Sequence, residues 1–261
     1  MSKCNNTRTN ALQTTSLAFR VLGPIEAYAD GRRLTIPGRR ARVVLAQLLL
    51  RANQVVSVDW LVDGLWAGQP PAQARSSLHN AVRDLRNMLT RHCLETTSCG
   101  YRLHLEPDQL DAALFENMQR RASDEPPATR IKTLDQALQL WAGDHPYVDV
   151  LYDDFAQAEI RRLDERRLLA LEARIAATLE LGEPADALPE LFSLVTRHPY
   201  RERFRLQLMT ALERAGRSVE ALETYEHYRL LLQEWNTRPS STIARAAEAI
   251  RDRDPPRHTP Q

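Results

Sequence analysis

Residues 72–91 read AQARSSLHNAVRDLRNMLTR, and this stretch decides which fold the first part of the chain can adopt. At the helical spacing of 100° per residue, its side chains separate into two faces. The apolar face, which we expect to pack on a core, consists of Ser77, Leu78, Ala81, Val82, Leu85, Met88 and Leu89. The opposite face is basic and rich in amides, and consists of Arg75, Ser76, His79, Asn80, Arg83, Arg86, Asn87 and Thr90. The pattern predicts an amphipathic helix with one buried and one charged face.

Short strands and further helices are predicted on both sides of this helix. Alternating apolar residues predict strands at 17–22, 26–29 and 33–36. A helix follows at 39–51, and another begins after Ser57, which is a good N-cap residue. A hairpin is predicted from strands at 94–97 and 101–105, with Gly100 in the tight turn. This order of elements is that of a winged helix-turn-helix domain of the response-regulator output type.

The chain from residue 107 onward has the pattern of an all-helical domain. Helices are predicted at 110–122, 128–141, 153–181, 185–197, 201–215, 218–235 and 240–251. Four residues, Ala177, Gly182, Ala187 and Leu191, recur 34 positions later as Ala211, Gly216, Ala221 and Tyr225. A period of 34 residues is the spacing of tetratricopeptide repeats, in which small alanines allow close helix packing and glycine ends the first helix. Helical-bundle packing without true repeats is the alternative.

The predicted fold class is therefore mostly α with a small amount of β. We expect a winged helix-turn-helix domain at 17–106, followed by a tetratricopeptide-like helical domain at 107–252. The polar segments 1–16 and 253–261 are predicted to be disordered tails.

Charge is distributed unevenly between the two predicted domains. Residues 1–106 contain 14 Lys and Arg against 7 Asp and Glu, whereas residues 107–261 contain 21 against 27. A small basic domain joined to an acidic one indicates a polyanion partner for the first domain. The 43% hydrophobic and 26% charged residues exclude a mostly disordered chain.

The sequence gives no sign of membrane association or of a disulfide framework. The longest apolar stretch, residues 43–50, is far shorter than the ~20 residues that cross a bilayer. Three cysteines, Cys4, Cys93 and Cys99, cannot all pair with one another, which suits a reducing compartment. We expect a cytoplasmic protein without membrane contact.

Several motifs in their order along the chain resemble one family, the Streptomyces antibiotic regulatory proteins (SARP). In the first domain these are residues 19–24 (FRVLGP), 38–53, 56–59 (VSVD), 65–66 (LW), 70–71 (PP), 85–89 (LRNML) and 100–103 (GYRL). In the second domain they are Asp111, Phe115, 140–141 (LW), 143–144 (GD), 198–199 (HP), 201–203 (RER), 211–212 (AL), 216–217 (GR), 221–222 (AL) and Tyr225, which resemble the bacterial transcriptional activation domain. The resemblance covers about residues 17–245.

This resemblance implies a transcriptional activator of an antibiotic biosynthesis gene cluster. Such a protein binds direct repeats at promoters in double-stranded DNA, recruits RNA polymerase holoenzyme, and is expected to form a homodimer on DNA. Two other functions stay open on the residues alone: a helical-repeat scaffold, and a ligand-sensing repressor with a winged-helix module.

The charged face of the 72–91 helix has the chemistry needed to bind DNA, because an α-helix fits the major groove and arginine and asparagine can each make two bonds to a base. The predicted base-reading residues are Arg75, His79, Asn80, Arg83 and Arg86. The predicted phosphate contacts, which position the protein without reading sequence, are Arg39, Arg40, Arg42, Ser57, Ser76 and Arg102.

The sequence gives little support for a catalytic, cofactor or metal site. His92, Cys93, Cys99 and His104 are residue types that bind zinc, but their spacing matches no common zinc finger. There is no glycine-rich phosphate loop, no Gly-x-Ser-x-Gly elbow and no paired-histidine helix. We predict that the protein is not an enzyme and has neither a cofactor nor a metal site.

Overall fold

A computed structural model describes residues 16–89 and 93–253 of the chain. Apart from Ser16 and Arg253, the two segments predicted as disordered tails lie outside the described residues, as do Thr90, Arg91 and His92. The fold is mostly helical, with two small antiparallel sheets.

Six strands and ten α-helices make up the described part. The strands are β1 (Leu17–Arg20), β2 (Glu26–Ala29), β3 (Arg32–Leu34), β4 (Val55–Ser57), β5 (Leu94–Thr96) and β6 (Gly100–Leu103). The first helices are α1 (Gly38–Leu50), α2 (Val58–Trp66), α3 (Ala74–Met88), α4 (Asp111–Ala122) and α5 (Pro127–Leu138). The later helices are α6 (Asp154–Glu180), α7 (Pro184–Arg197), α8 (Glu202–Arg214), α9 (Ser218–Gln233) and α10 (Ser241–Arg253). A 3-10 helix, Val148–Val150, precedes α6 and was not predicted.

Both sheets have three antiparallel strands. The first has the order β1-β2-β3, and the second has the order β4-β6-β5. Residues 55–56, which precede the predicted N-cap Ser57, form part of strand β4, in which Val56 pairs with Tyr101 of β6. The predicted hairpin is thereby extended into a sheet.

Gly100 is needed for a reason other than the predicted one. We expected it in the tight turn, but it lies in β6 opposite Ser57 and has no positive φ. A Cβ atom at this position would lie 1.9 Å from the carbonyl oxygen of Val56. Glycine is required here because β4 passes too close for any side chain.

The chain divides by its contacts into two compact units, each with its own core. Within the described residues, the first unit comprises 16–116 and 140–164, and the second comprises 117–139 and 165–253. Helices α4 and α6 each contribute residues to both. The sequence placed residues 140–164 in the second domain; the contacts place this segment in the first unit. The functional division at residue 106 stays a prediction.

Backbone hydrogen bonds explain why the 140–164 segment belongs to the first unit. The two residues that follow β1 are hydrogen-bonded to the 140–164 segment. The carbonyl oxygen of Val21 accepts from Tyr147 N at 2.7 Å, and that of Leu22 accepts from Ala142 N at 2.8 Å. The amides of Val21 and Leu22 donate to the buried carboxylate of Asp111, at distances of 2.9–3.1 Å. Residues from later in the sequence thus satisfy the backbone where β1 ends.

The core of the first unit is built around α1, which packs against both α2 and α3. Seven consecutive residues of α1, from Val43 to Leu49, are buried. The apolar face of α3 contributes Leu78, Val82 and Leu85 to this core. Helix α3 therefore buries the apolar face that was predicted for residues 72–91.

The second unit has a continuous apolar core formed by the end of α6 and by α7–α10. The four alanines of the 34-residue period, Ala177, Ala187, Ala211 and Ala221, are all buried. Three of them, Ala187, Ala211 and Ala221, belong to this core. Gly182 and Gly216 follow α6 and α8 with φ of +84° and +75°, values that glycine adopts without steric cost. No helix among the described residues is both long and apolar enough to span a lipid bilayer.

Candidate nucleic-acid interface

Helix α3 presents its predicted polar face to solvent. Ser76, His79, Asn80 and Arg83 are exposed along this face, while Leu78 and Leu85 on the other side are fully buried. Arg83 lies 3.8 Å from the neighbouring carboxylate of Asp84, at the long end of ion-pair distance. The apolar side of α3 is thus buried in the core, and its polar face is exposed to solvent.

The start of α2 lies beside the start of α3. The hydroxyl of Ser57 accepts from Trp60 N at 3.2 Å, which caps α2. A guanidinium nitrogen of Arg75 lies 2.8 Å from the carboxylate of Asp59 in the first turn of α2, and both side chains are more than 70% exposed. Exposed ion pairs of this kind contribute little free energy and can exchange one partner for another.

Arg86 differs from the other predicted base-reading residues. Its guanidinium donates to the carbonyl oxygen of Leu94 and to the Thr96 hydroxyl, and it lies 5.8 Å from the ring centre of Tyr101. All three partners belong to β5 and β6. The structure therefore shows Arg86 holding the hairpin against α3.

The three arginines at the start of α1 are not equivalent. Arg39 and Arg40 are exposed, and Arg39 lies 3.9 Å from Asp153. Arg42 is half-buried and lies 2.5 Å from Asp149. The other carboxylate oxygen of Asp149 accepts from Ile25 N at 2.6 Å, so this carboxylate is fixed on two sides. Arg42 therefore joins α1 to the 3-10 helix.

The hairpin adds a smaller group of polar side chains. Arg102 on β6 is partly exposed and lies 3.6 Å from the carboxylate of Glu95, which also contacts His104 Nε2 at 2.8 Å. At the tip, the Thr97 hydroxyl accepts from Gly100 N at 3.1 Å. The two turn residues that follow, Ser98 and Cys99, are exposed and uncharged.

The zinc-type residues considered in the sequence do not assemble in the described part of the chain, where no group of three or more His, Cys, Asp or Glu side chains could hold a metal ion. Cys93 is buried and Cys99 is exposed. His92 lies outside the described residues.

The structural roles of three carboxylates, Asp59, Asp111 and Asp149, were missed by sequence reasoning. Asp59 could have been found, because it is the acidic first-turn residue of a helix capped by Ser57. Asp149 and Asp111 carry no local signal: their partners are 107 and 89–90 residues away along the chain. Only the folded chain shows that they neutralise Arg42 and fix β1.

Comparisons with known proteins agree over most of the chain. A family model described as the bacterial transcriptional activator domain matches residues 110–251. The regulatory protein DnrI of Streptomyces peucetius is 36% identical over 258 residues, which cover 92% of this chain and 93% of that protein.

The chain belongs to the SARP family. Another relative, the regulatory protein AfsR of Streptomyces coelicolor, is 35% identical over 246 residues, but the match covers 25% of its length. A solved structure of Mycobacterium tuberculosis EmbR in complex with a low-affinity phosphopeptide has a TM-score of 0.86 at 30% identity, over 92% of this chain and 66% of that one. SARP proteins are transcriptional regulators of the activator type, with antibiotic regulation among their roles, and this chain is one of them.

Proposed function

We propose that this SARP protein is a sequence-specific DNA-binding activator whose helix α3 enters the major groove. One observation carries the proposal: the exposed face of α3 presents arginine, histidine and asparagine while its other face is buried in the core. Because the helix is seated along one side, these side chains can reach base edges without any rearrangement of the unit.

The arrangement of elements supports the same proposal. In a winged helix-turn-helix, a second helix precedes the recognition helix and a β-hairpin follows it. Here α2 precedes α3, and the β5–β6 hairpin follows, attached to α3 through Arg86. In this assignment α3 is the recognition helix and the hairpin is the wing.

We divide the predicted contacts into three proposed roles. Base reading is assigned to the exposed residues of α3, namely Arg75, His79, Asn80 and Arg83. Phosphate contact is assigned to Arg39, Arg40, Ser76, Arg102 and the start of α2 at Ser57. Arg42 and Arg86, whose guanidinium groups are already held inside the unit, are assigned to positioning of α1 and of the wing.

The second unit is proposed to serve association and recruitment. Its helix pairs, with a positive-φ glycine after α6 and after α8, suit a tetratricopeptide-like array that offers surface to protein partners. We propose that two copies bind direct repeats and recruit RNA polymerase holoenzyme, at promoters of an antibiotic biosynthesis cluster in the bacterial cytoplasm. Membership of the SARP family supports this assignment.

Footprinting of the full chain against random genomic fragments tests the proposal. We expect protected sites that contain a sequence repeated in the same direction, since two-fold symmetric binders favour palindromes instead. Protection should vanish when Arg75 and Arg83 are both changed to Ala. It should persist when Arg238 and Arg245, two exposed arginines of the second unit, are changed in the same way.

A promoter reporter then separates activation from repression. Expression of the chain should raise reporter output from a promoter that carries the footprinted site. A fall in output would favour the ligand-sensing repressor, and binding of protein partners without any duplex retention would favour the scaffold.

A further inference from the structure

Two large aromatic side chains of the second unit are exposed and lie against each other. Trp235, after α9, is 67% exposed, and Tyr200, between α7 and α8, is 53% exposed. Their ring centres are 6.2 Å apart with the planes at 85°, and the Trp235 indole nitrogen donates to the Tyr200 hydroxyl at 3.0 Å. Neither residue belongs to the apolar core of the second unit.

The backbone on both sides of this pair is fixed. The carbonyl oxygen of Pro199 accepts twice from the buried guanidinium of Arg205, at 3.1 Å and 3.0 Å. The turn after Trp235 closes with Asn236 at a φ of +51°, and Thr237 N donates to Leu232 O at 3.0 Å. An exposed aromatic platform that is already ordered loses little conformational entropy when a partner binds.

A depression lined by two arginines, Arg197 and Arg201, adjoins the platform. This depression has a volume of about 450 Å³ and is lined by Leu168, Arg197, His198, Pro199, Tyr200 and Arg201. Arg201 is already occupied, because it donates to the carboxylates of Glu165 and Glu172.

Arg197 is the charge that remains available there. Among the described residues it has no carboxylate within ion-pair distance, and it is exposed. Burial, followed by the positive charges of Arg197, Arg201 and Arg167, lowers the pKa of His198, which agrees with a positive potential in the depression. A negative group would be attracted to this point.

We infer that Tyr200, Trp235 and Arg197 form a docking site for an acidic peptide segment that carries a large apolar side chain. The carboxylate of that segment would pair with Arg197, while its apolar side chain would cover the exposed rings. Tryptophan, tyrosine and arginine are the residues most enriched among those that dominate binding at protein interfaces. The site goes beyond the proposed DNA binding, since none of its residues lies in the first unit.

Charge and shape favour a peptide over a nucleic acid. A strand of nucleic acid needs a row of cations that follows its phosphates, together with rings on which successive bases stack. Here one unpaired arginine borders the depression, and the two rings stand edge to face instead of offering parallel stacking surfaces.

The test is selection of short random peptides displayed on phage against the full chain, with counter-selection on the Trp235→Ala variant. We expect the enriched peptides to place Asp or Glu close to Trp, Phe or Leu. Fluorescence anisotropy with the enriched peptides should then show binding weakened at least about tenfold by Trp235→Ala and by Arg197→Glu.

Phe192→Ala is the matched control. Phe192 is also an exposed ring of the second unit next to an arginine, with Arg217 5.9 Å from the ring centre, but it does not line the depression. Peptide binding should be unchanged in this variant, and circular dichroism should show all three variants folded. Footprints should persist in each, which separates failure here from failure of the proposed DNA binding.

Three results would overturn the inference. The first is enrichment of peptides without an acidic and apolar pattern, or no enrichment. The second is binding that Trp235→Ala and Arg197→Glu leave intact, or that Phe192→Ala weakens equally. The third is loss of duplex affinity in Arg197→Glu, which would identify the surface as a nucleic-acid contact.

Discussion

Two helices of the first unit, α1 and α3, each carry an arginine that pairs with a carboxylate from another element, and the two settings differ. Beside α1, Asp149 pairs with the half-buried Arg42 and also accepts from Ile25 N. Beside α3, Asp59 pairs with Arg75 where both side chains are largely in solvent. The distances are similar, 2.5 Å and 2.8 Å, so the difference is in burial and in additional hydrogen bonds.

This difference indicates which arginines are available to a new partner. Breaking a partly buried pair leaves a charge that water cannot fully solvate, whereas an exposed pair gives up its partner at little cost. Asp149 beside α1 thus belongs to the architecture, whereas Asp59 beside α3 holds an arginine that the proposed DNA contact requires to be available. Four predictions probe this comparison.

The largest effect is expected from removing the distant carboxylates together with their segment. A chain ending at Glu106 lacks Asp111 and residues 140–164, so Val21 and Leu22 lose their hydrogen-bond partners and Arg42 loses Asp149. We expect this chain not to fold, as judged by circular dichroism and by amide NMR spectra. It should also fail to bind DNA.

A chain ending at Asp164 is the control, because it keeps every residue of the first unit. It should fold and retain α3. If the chain ending at Glu106 were folded and bound DNA with full affinity, the distant carboxylates would not be architectural and the contrast between α1 and α3 would be lost.

The second prediction compares one arginine from each helix. Arg83→Ala should weaken specific binding about tenfold or more, since loss of a base-reading arginine costs about 1–3 kcal/mol. Arg42→Ala should lower the free energy of unfolding, because it leaves Asp149 unpaired, while the salt dependence of binding stays as in the natural chain. Anisotropy titrations at several salt concentrations and urea unfolding measure both. A larger loss of affinity in Arg42→Ala than in Arg83→Ala would reverse the assignment.

The third prediction concerns the pH dependence of stability. Burial raises the pKa of Asp111 from its ordinary 3.8 to about 6, although the amides of Val21 and Leu22 act in the opposite direction. The folded protein therefore binds a proton on the Asp111 carboxyl more tightly than the unfolded chain does. The contribution of protonated Asp111 to stability is fully present below about pH 4 and is lost as the pH rises through about 6.

Urea unfolding at two pH values measures this contribution. Between about pH 5 and about pH 7, Asp111 should reduce the free energy of unfolding by about 1 kcal/mol as the pH rises. Asp111→Asn, which cannot titrate, should lack this component. Equal pH dependence in the two proteins would show that the buried carboxylate is not the titrating group.

The sequence predicts the elements of this fold well where the signal is local. Helices α1, α3 and α7–α9 follow from apolar periodicity, and the turns at Gly182 and Gly216 follow from the 34-residue period. Gly100 was misread because a turn and a close backbone approach both call for glycine, and only the pairing of β4 with β6 separates them.

The sequence predicts which residues share the polar face of the candidate site. It does not predict which of the arginines are already paired with a carboxylate. Periodicity alone places Arg75, His79, Asn80 and Arg83 together on α3. It says nothing about Arg42, because the carboxylate that pairs with it lies 107 residues further along the chain. Charge counts had the same weakness: the acidic 140–164 segment was assigned to the second domain, yet it packs with residues 16–116 in the first unit.

The smallest effect is expected at the exposed pair itself. Asp59→Asn removes a negative charge beside the proposed groove contact and frees Arg75 for phosphates of any sequence. Non-specific duplex affinity should rise about twofold, and the slope of log affinity against log salt should steepen by up to about one. The ratio of specific to non-specific affinity should fall, because an arginine held by Asp59 is presented in one direction.

Asp63→Asn is the matched control for this last change. Asp63 is exposed one turn further along α2, and no arginine pairs with it among the described residues. If the two substitutions changed affinity and salt slope equally, the effect would come from net charge alone. A change confined to Asp59→Asn would show instead that an exposed ion pair, too weak to stabilise the fold, restricts which DNA the neighbouring arginine accepts.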